Sequence, residues 1–119
     1  MSQSFSLDED NKVHLDAEKV SIDNKNNLII FEGEIKLIIY GSEAITIFGD
    51  SGALHSEDRS LIVYGAPATI SSGVSLNGYA DKLIISIDRS IQLIGNAELV
   101  NNHNKVSAEL INYQIDLKK

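Results

Sequence analysis

The sequence predicts an all-β protein whose antiparallel strand-turn-strand units curl into a sandwich or jelly roll. Three observations carry this. The chain holds 17 Ile and 6 Val against only 8 Ala, the best helix former. Its apolar segments are short, β-branched and bounded by Asn, Asp, Ser and Gly, where helices would need longer periodic runs. A strand-turn-strand unit recurs along the chain, and residues 56–65 align without gaps on residues 86–95, 30 positions later.

In chain order, Ala17-Glu18-Lys19-Val20 heads the first unit, Ser21-Ile22-Asp23 ends its strand, and Asp23-Asn24-Lys25-Asn26-Asn27 has turn composition. Leu28-Ile29-Ile30-Phe31 starts the next strand, which passes through Gly33 and continues as Ile35, Leu37 and Ile39. After the turn Asp58-Arg59-Ser60 the pattern repeats with Leu61-Ile62-Val63-Tyr64, Gly65, and then Ala66, Ala68 and Ile70, before Ser71-Ser72-Gly73. Ala80-Asp81-Lys82 heads the third unit, followed by Leu83-Ile84-Ile85-Ser86-Ile87, the turn Asp88-Arg89-Ser90, then Ile91, Leu93, Gly95, Ala97 and Leu99. After a last turn at Asn101-Asn102-His103-Asn104-Lys105, Ala108-Glu109-Leu110-Ile111-Asn112-Tyr113 could pass for a helix on propensity. Ala108 instead opens a fourth, incomplete unit, which makes this segment a strand with an unpaired edge. A glycine at the same point of each unit marks a bulge or bend that lets a sheet curve sharply.

Alternation sorts the side chains onto two faces. One is almost purely apolar: Leu83, Ile85, Ile87, Ile91, Leu93, Ala97 and Leu99 in the third unit, with Val20, Ile22, Ile29, Phe31, Ile35, Leu37, Leu61, Val63 and Ile70 earlier. The other mixes polar residues with Ile30, Ile38, Ile62 and Ile84, an outward apolar patch of the kind that marks association or docking.

Composition excludes several classes. With 119 residues the chain is one domain, large enough to bury roughly two thirds of its unfolded surface without disulfides. It has no Cys, hence no disulfide framework, zinc ribbon or thiol nucleophile. Its net charge of −7 and scattered Lys and Arg argue against nucleic acid as a partner. No apolar run approaches the roughly 18 residues of a membrane-spanning helix. Met1 to Asn11 is polar and acidic and has no signal-peptide pattern, so either the protein is cytosolic or Met1 stands where an export signal has been removed.

Several motifs together carry a resemblance. Tyr64-Gly65-Ala66-Pro67-Ala68-Thr69-Ile70 and Leu93-Ile94-Gly95-Asn96-Ala97-Glu98-Leu99 are the most specific. Val13-His14-Leu15-Asp16-Ala17-Glu18, Ile30-Phe31-Glu32-Gly33-Glu34, Gly78-Tyr79-Ala80 and Ala108 to Tyr113 stand in register with them. The chain resembles the OstA-like domain of the lipopolysaccharide transport proteins, above all the periplasmic bridge proteins. The resemblance implies a twisted antiparallel β-jelly roll, V-shaped in section, spanning residues 13–119 behind a flexible N-terminal segment, 1–12. It implies a non-enzymatic, periplasmic function with no cofactor. The partners implied are the lipid A acyl chains of lipopolysaccharide, held in the apolar trough, and other OstA-like domains or a second copy, added head to tail through terminal strands. The inward set it makes lipid-binding is Val13, Phe31, Ile35, Leu61, Val63, Ile70, Ile85, Ile87, Leu93 and Leu99. Two other readings fit the residues: the periplasmic domain of the membrane-anchored, LptC-like component, and a lipid-free β-solenoid filament protein of bactofilin type.

Other features have plainer explanations. Gly49-Asp50-Ser51-Gly52 is the string around the serine of chymotrypsin-like proteases, but that fold needs two barrels and a longer chain, so it reads as a turn between strands. His14, His55 and His103 are too dispersed for a metal site and read as surface residues. Asn77-Gly78 reads equally as a hairpin turn or a bulge.

Overall fold

In the computed structural model, residues 3–6, 13–40, 44–57, 60–73, 75–86 and 90–114 are described. They form one antiparallel sheet: β1 (Gln3–Ser6), β2 (Val13–Ala17), β3 (Lys19–Asp23), β4 (Leu28–Ile39), β5 (Ile45–His55), β6 (Ser60–Ser72), β7 (Leu76–Ser86), β8 (Ser90–Asn101) and β9 (Asn104–Gln114). The spatial order is β1-β2-β4-β5-β6-β7-β8-β9, with β3 also paired to β4. From β4 onward each strand pairs with its chain neighbour.

The layers arise by bending one sheet, whereas the alternation pattern alone suggested two sheets facing each other. Strands β4 to β9 are 11 to 13 residues long, and every pairing between them shifts register near mid-strand. At each shift the extra residues increase local twist and turn the strand. In β4 the irregularity falls between Glu32 and Ile35, in β6 between Tyr64 and Ala68, and in β8 between Ile94 and Ala97, at the glycines that the repeat singles out. Gly33 and Gly95 have φ of +80° and +88°, which L side chains rarely adopt, and Glu34 and Asn96 follow them at φ of +43° and +49°. The first layer holds β3 and one half of each long strand, the second holds β1, β2 and the other halves.

Hydrophobic side chains from both layers form a single buried core. Small residues, Ala17, Ala68, Ala80 and Ala97, are buried beside the bend, where larger side chains would hold the layers apart. Ser72 is the single buried polar side chain among the described residues, and its Oγ donates to the Ala44 carbonyl at 2.9 Å.

Several local expectations change. Gln3–Ser6, inside the segment expected to be flexible, is strand and pairs with β2. Gly49-Asp50-Ser51-Gly52 is no turn between strands; it lies within β5, where that strand bends. Asn77 and Gly78 make neither a hairpin nor a bulge, because they pair regularly with Ser71 and Ile70 inside β6 and β7, and the connection is made a few residues earlier. A Cβ on Gly78 would lie 2.8 Å from Leu99 Cδ1 and 3.1 Å from Ile70 Cγ2, so glycine here answers to close packing. The helix-compatible segment after Ala108 is strand β9, in the register its unit head implies.

Candidate functional site

The site is the apolar interior between the layers, and cross-strand register builds it from continuous rows. In the first layer, Val20, Phe31, Gly52, Val63, Leu83, Leu93 and Ile111 are paired one to the next from β3 to β9. In the second, Leu15, Leu37, Ile47, Ile70, Gly78, Leu99 and Val106 do the same from β2 to β9. Alternation along each strand sends these side chains inward, and the pairing stacks them into ridges that cross the whole sheet.

Of the expected inward residues, Val13, Phe31, Ile35, Leu61, Val63, Ile70, Ile85, Leu93 and Leu99 are all buried, and Ile87 lies outside the described residues. Phe31, Val63 and Leu93 share the first-layer row, with Leu61 and Ile85 in the row beside it. Ile70 and Leu99 share the second-layer row, Ile35 stands at the bend opposite Gly49, and Val13 pairs with Ile39. Sequence reasoning left out Leu15, Ile45, Ile47 and Leu76, which are as deeply placed. The spacings Val13, Leu15 and Ile45, Ile47 held the same period-two signal.

The interior is uncovered at two opposite places. Ile22 faces inward by its pairing with Ile29, yet it is 67% exposed, because no strand continues the first layer past β3 among the described residues. Val106, across from Leu99, is 48% exposed at the far edge of the second layer. Between them the rows are buried. The side chains there are purely hydrocarbon apart from Ser72, so the interior can recognise apolar chains by burial but offers nothing to a charged group.

Charge is kept outside. Four acids stand exposed at the bend opposite the bulges: Asp50, Asp81 and Glu109 within β5, β7 and β9, and Glu18 between β2 and β3. Glu98 accepts from Tyr79 Oη at 3.3 Å and Ser107 Oγ at 3.4 Å, and Lys105 Nζ lies 3.6 Å away. In the turn after β3 the Asn26 side chain donates to Asp23 at 2.9 Å, with the Lys25 and Asn26 backbone N–H groups adding to it. These bonds hold the Asp23 carboxyl below its ordinary value. On the outer face Ile30, Ile62 and Ile84 form a half-buried ladder with Ala53, as the alternation predicted.

An open-edged antiparallel sheet bent around a hydrocarbon interior, with the ionisable groups of the described residues outside, defines a β-jelly roll. The sequence pattern of the family described as "LptA/(LptD N-terminal domain) LPS transport protein" matches residues 14–119. The chain belongs to this family of lipopolysaccharide transport proteins, which are transport components and not enzymes. Membership sets aside the bactofilin-type reading. Among solved structures, the fold is similar to the crystal structure of LptH from Pseudomonas aeruginosa, described as the LptA-homologous periplasmic component of the conserved lipopolysaccharide transport device. The TM-score is 0.71 at 18% identity, over 89% of this chain and 76% of that one. Among curated proteins, none matches this chain.

Proposed function

We propose that this protein carries lipopolysaccharide through the periplasm, with the acyl chains between its two layers and the saccharide headgroup in solvent, and hands it along a stack of like domains. The observation that carries the reading is the pair of apolar rows that cross the sheet from β3 and from β2 to β9, with apolar side chains uncovered at Ile22, beside the start of the first row, and at Val106, at the end of the second. Each methylene transferred from water gains about 0.8 kcal/mol, so part of a few acyl chains supplies ample affinity without any polar contact. Among the described residues strand pairing joins the layers only through the bend, so parting them at the rim admits chains at the expense of core contacts and not of backbone hydrogen bonds. Headgroup phosphates stay outside, since the rows contain no cation to meet them. Among the described residues β1 and β9 each pair on one side only, which suits addition of further domains end to end.

Native mass spectrometry of the purified chain, titrated with lipopolysaccharide and with a simple phospholipid, tests this. Saturable uptake selective for lipopolysaccharide is expected, and failure to take up either lipid would overturn it. A photo-crosslinking residue at Leu93 should label the lipid and one at Ile62, on the outer face, should not. Ile85→Asp, which puts a carboxylate into the buried row, should abolish uptake, and lipid binding left intact by it would count against this face.

A further inference from the structure

We infer that the strand which adds to β9 carries a glycine in the left-handed conformation opposite Glu109, so that Glu109 fixes both the partner and its register. This rests on the end-to-end assembly proposed above and deepens it.

The strands crossing the bend come in two kinds. In β4, β6 and β8 the bend consumes Gly33-Glu34, Gly65-Ala66-Pro67 and Gly95-Asn96, two or three residues that the opposite strand matches with one. That one residue is always acidic. Asp50 stands between the pairs Gly49 to Ile35 and Ser51 to Glu32, Asp81 between Ala80 to Ala68 and Lys82 to Tyr64, and Glu109 between Ala108 to Ala97 and Leu110 to Ile94. Glu18, between β2 and β3, occupies the same position, and its N–H is shared between the Glu32 and Gly33 carbonyls at 3.0 and 3.1 Å.

At two of these places the acid packs directly on a glycine in the left-handed conformation, Glu18 on Gly33 of β4 and Asp81 on Gly95 of β8, whereas Gly65 of β6 has no positive φ and sits against Pro67 and Ala68. A Cβ on Gly33 would lie 2.5 Å from Glu18 Oε1, and one on Gly95 would lie 2.7 Å from Asp81 Oδ2. The residue after Gly95 completes the contact, Asn96 Nδ2 donating to Asp81 at 3.3 Å. Asp50 and Asp81 have bulged strands on both sides. Glu109 has the β8 bulge on one side and, among the described residues, no strand on the other, and it is exposed. Its head, Ala108-Glu109, repeats Ala17-Glu18 and Ala80-Asp81. The strand that continues the sheet is therefore of the glycine-bearing kind, with apolar residues opposite Val106 and Ile111 and a small residue opposite Ala108. β1, Gln3–Ser6, contains no glycine, so β1 of a second copy does not meet this requirement, and the occupant is a strand of another transport domain that does.

A 12-residue peptide with the sequence of β8 is the probe, since β8 itself is a strand of this kind already in register with β9. Added to the whole chain, it should shift the backbone amide resonances of Asn104–Gln114 saturably. The peptide with Gly95→Ala should bind at least tenfold more weakly, and the Glu109→Ala protein, whose altered side chain is exposed, should weaken the glycine peptide severalfold while leaving the melting temperature unchanged. Equal binding of the two peptides, shifts confined to β1 and β2, or a self-associated dimer that excludes the peptide would each overturn the inference. Lipid uptake by the unassembled chain is read separately by mass spectrometry. Peptides that do not discriminate would thus refute the glycine rule and leave the transport reading standing.

Discussion

Replacing Gly33 by alanine separates two costs that the bend imposes on one residue. Its φ of +80° lies in the left-handed region, and placing an L side chain there costs about 1–2 kcal/mol. The new methyl would also lie 2.5 Å from Glu18 Oε1 and 2.8 Å from Glu18 Cβ. The carboxylate is exposed and can swing away, but the Cβ is fixed to the backbone, so the chain itself has to move. Overpacking of this sort costs about 1–3 kcal/mol, and the sum is about 2–5 kcal/mol. Against a total stability of about 5–15 kcal/mol that is a large share. Urea unfolding of Gly33→Ala should show this loss as a lower midpoint at unchanged slope. With Glu18→Gly added, the contact term should disappear and the conformational term remain, so the double variant recovers about half of the loss. A Gly33→Ala protein within about 0.5 kcal/mol of the parent, or a double variant no more stable than the single one, would refute the account of the bend.

Three further outcomes follow from the same geometry. Phe31→Ala, at a fully buried position of the first-layer row, should cost about 3–5 kcal/mol in urea unfolding, while Ile62→Thr on the outer face costs under about 1 kcal/mol. Ser72→Ala removes the buried hydroxyl that donates to the Ala44 carbonyl and should lower stability by about 0.5–1.5 kcal/mol. The Asp23 carboxyl is depressed in the folded chain, so its contribution is present above the ordinary carboxylate value of 3.8 and is lost as pH falls through the lowered native pKa. A carbon-detected NMR titration should place its midpoint below 3.8, and Asn26→Ala, which removes the largest cause, should raise it.

How much of this was legible beforehand can be argued from particular residues. The alternation of Leu61, Val63, Ile85 and Leu93 with polar neighbours identified the inner face, because a half-buried strand has period two whatever surrounds it. The recurrence of Gly33, Gly65 and Gly95 located the bend, because positive φ and close approach are requirements only glycine meets cheaply. What the sequence hid was non-local. Nothing near Ile22 says that the sheet stops beside it, so its exposure could not be read from a pattern that otherwise makes it core. Gly49 to Gly52 looks like a turn because turns and strand bends use the same residues, and only pairing across to β4 and β6 separates them. Asn77-Gly78 misleads for the reverse reason: its glycine answers to packing against Leu99 and Ile70 and not to a hairpin. As for the site, burial of the inward set is seen directly for every member except Ile87, which lies outside the described residues, while contact with acyl chains awaits the crosslinking proposed above.

The near-sequential strand order has a consequence for how the molecule assembles itself. From β4 to β9 each strand is held mainly by the one before and the one after it in the chain. Cooperativity in such an array is close to one-dimensional, so folding can start at any central hairpin and spread strand by strand toward both margins. Amide exchange should therefore be slowest in β5 to β8 and grade outward, with β9 opening well below the global unfolding free energy. A terminal strand that frays at little cost can accept a new neighbour without the rest of the sheet having to reorganise.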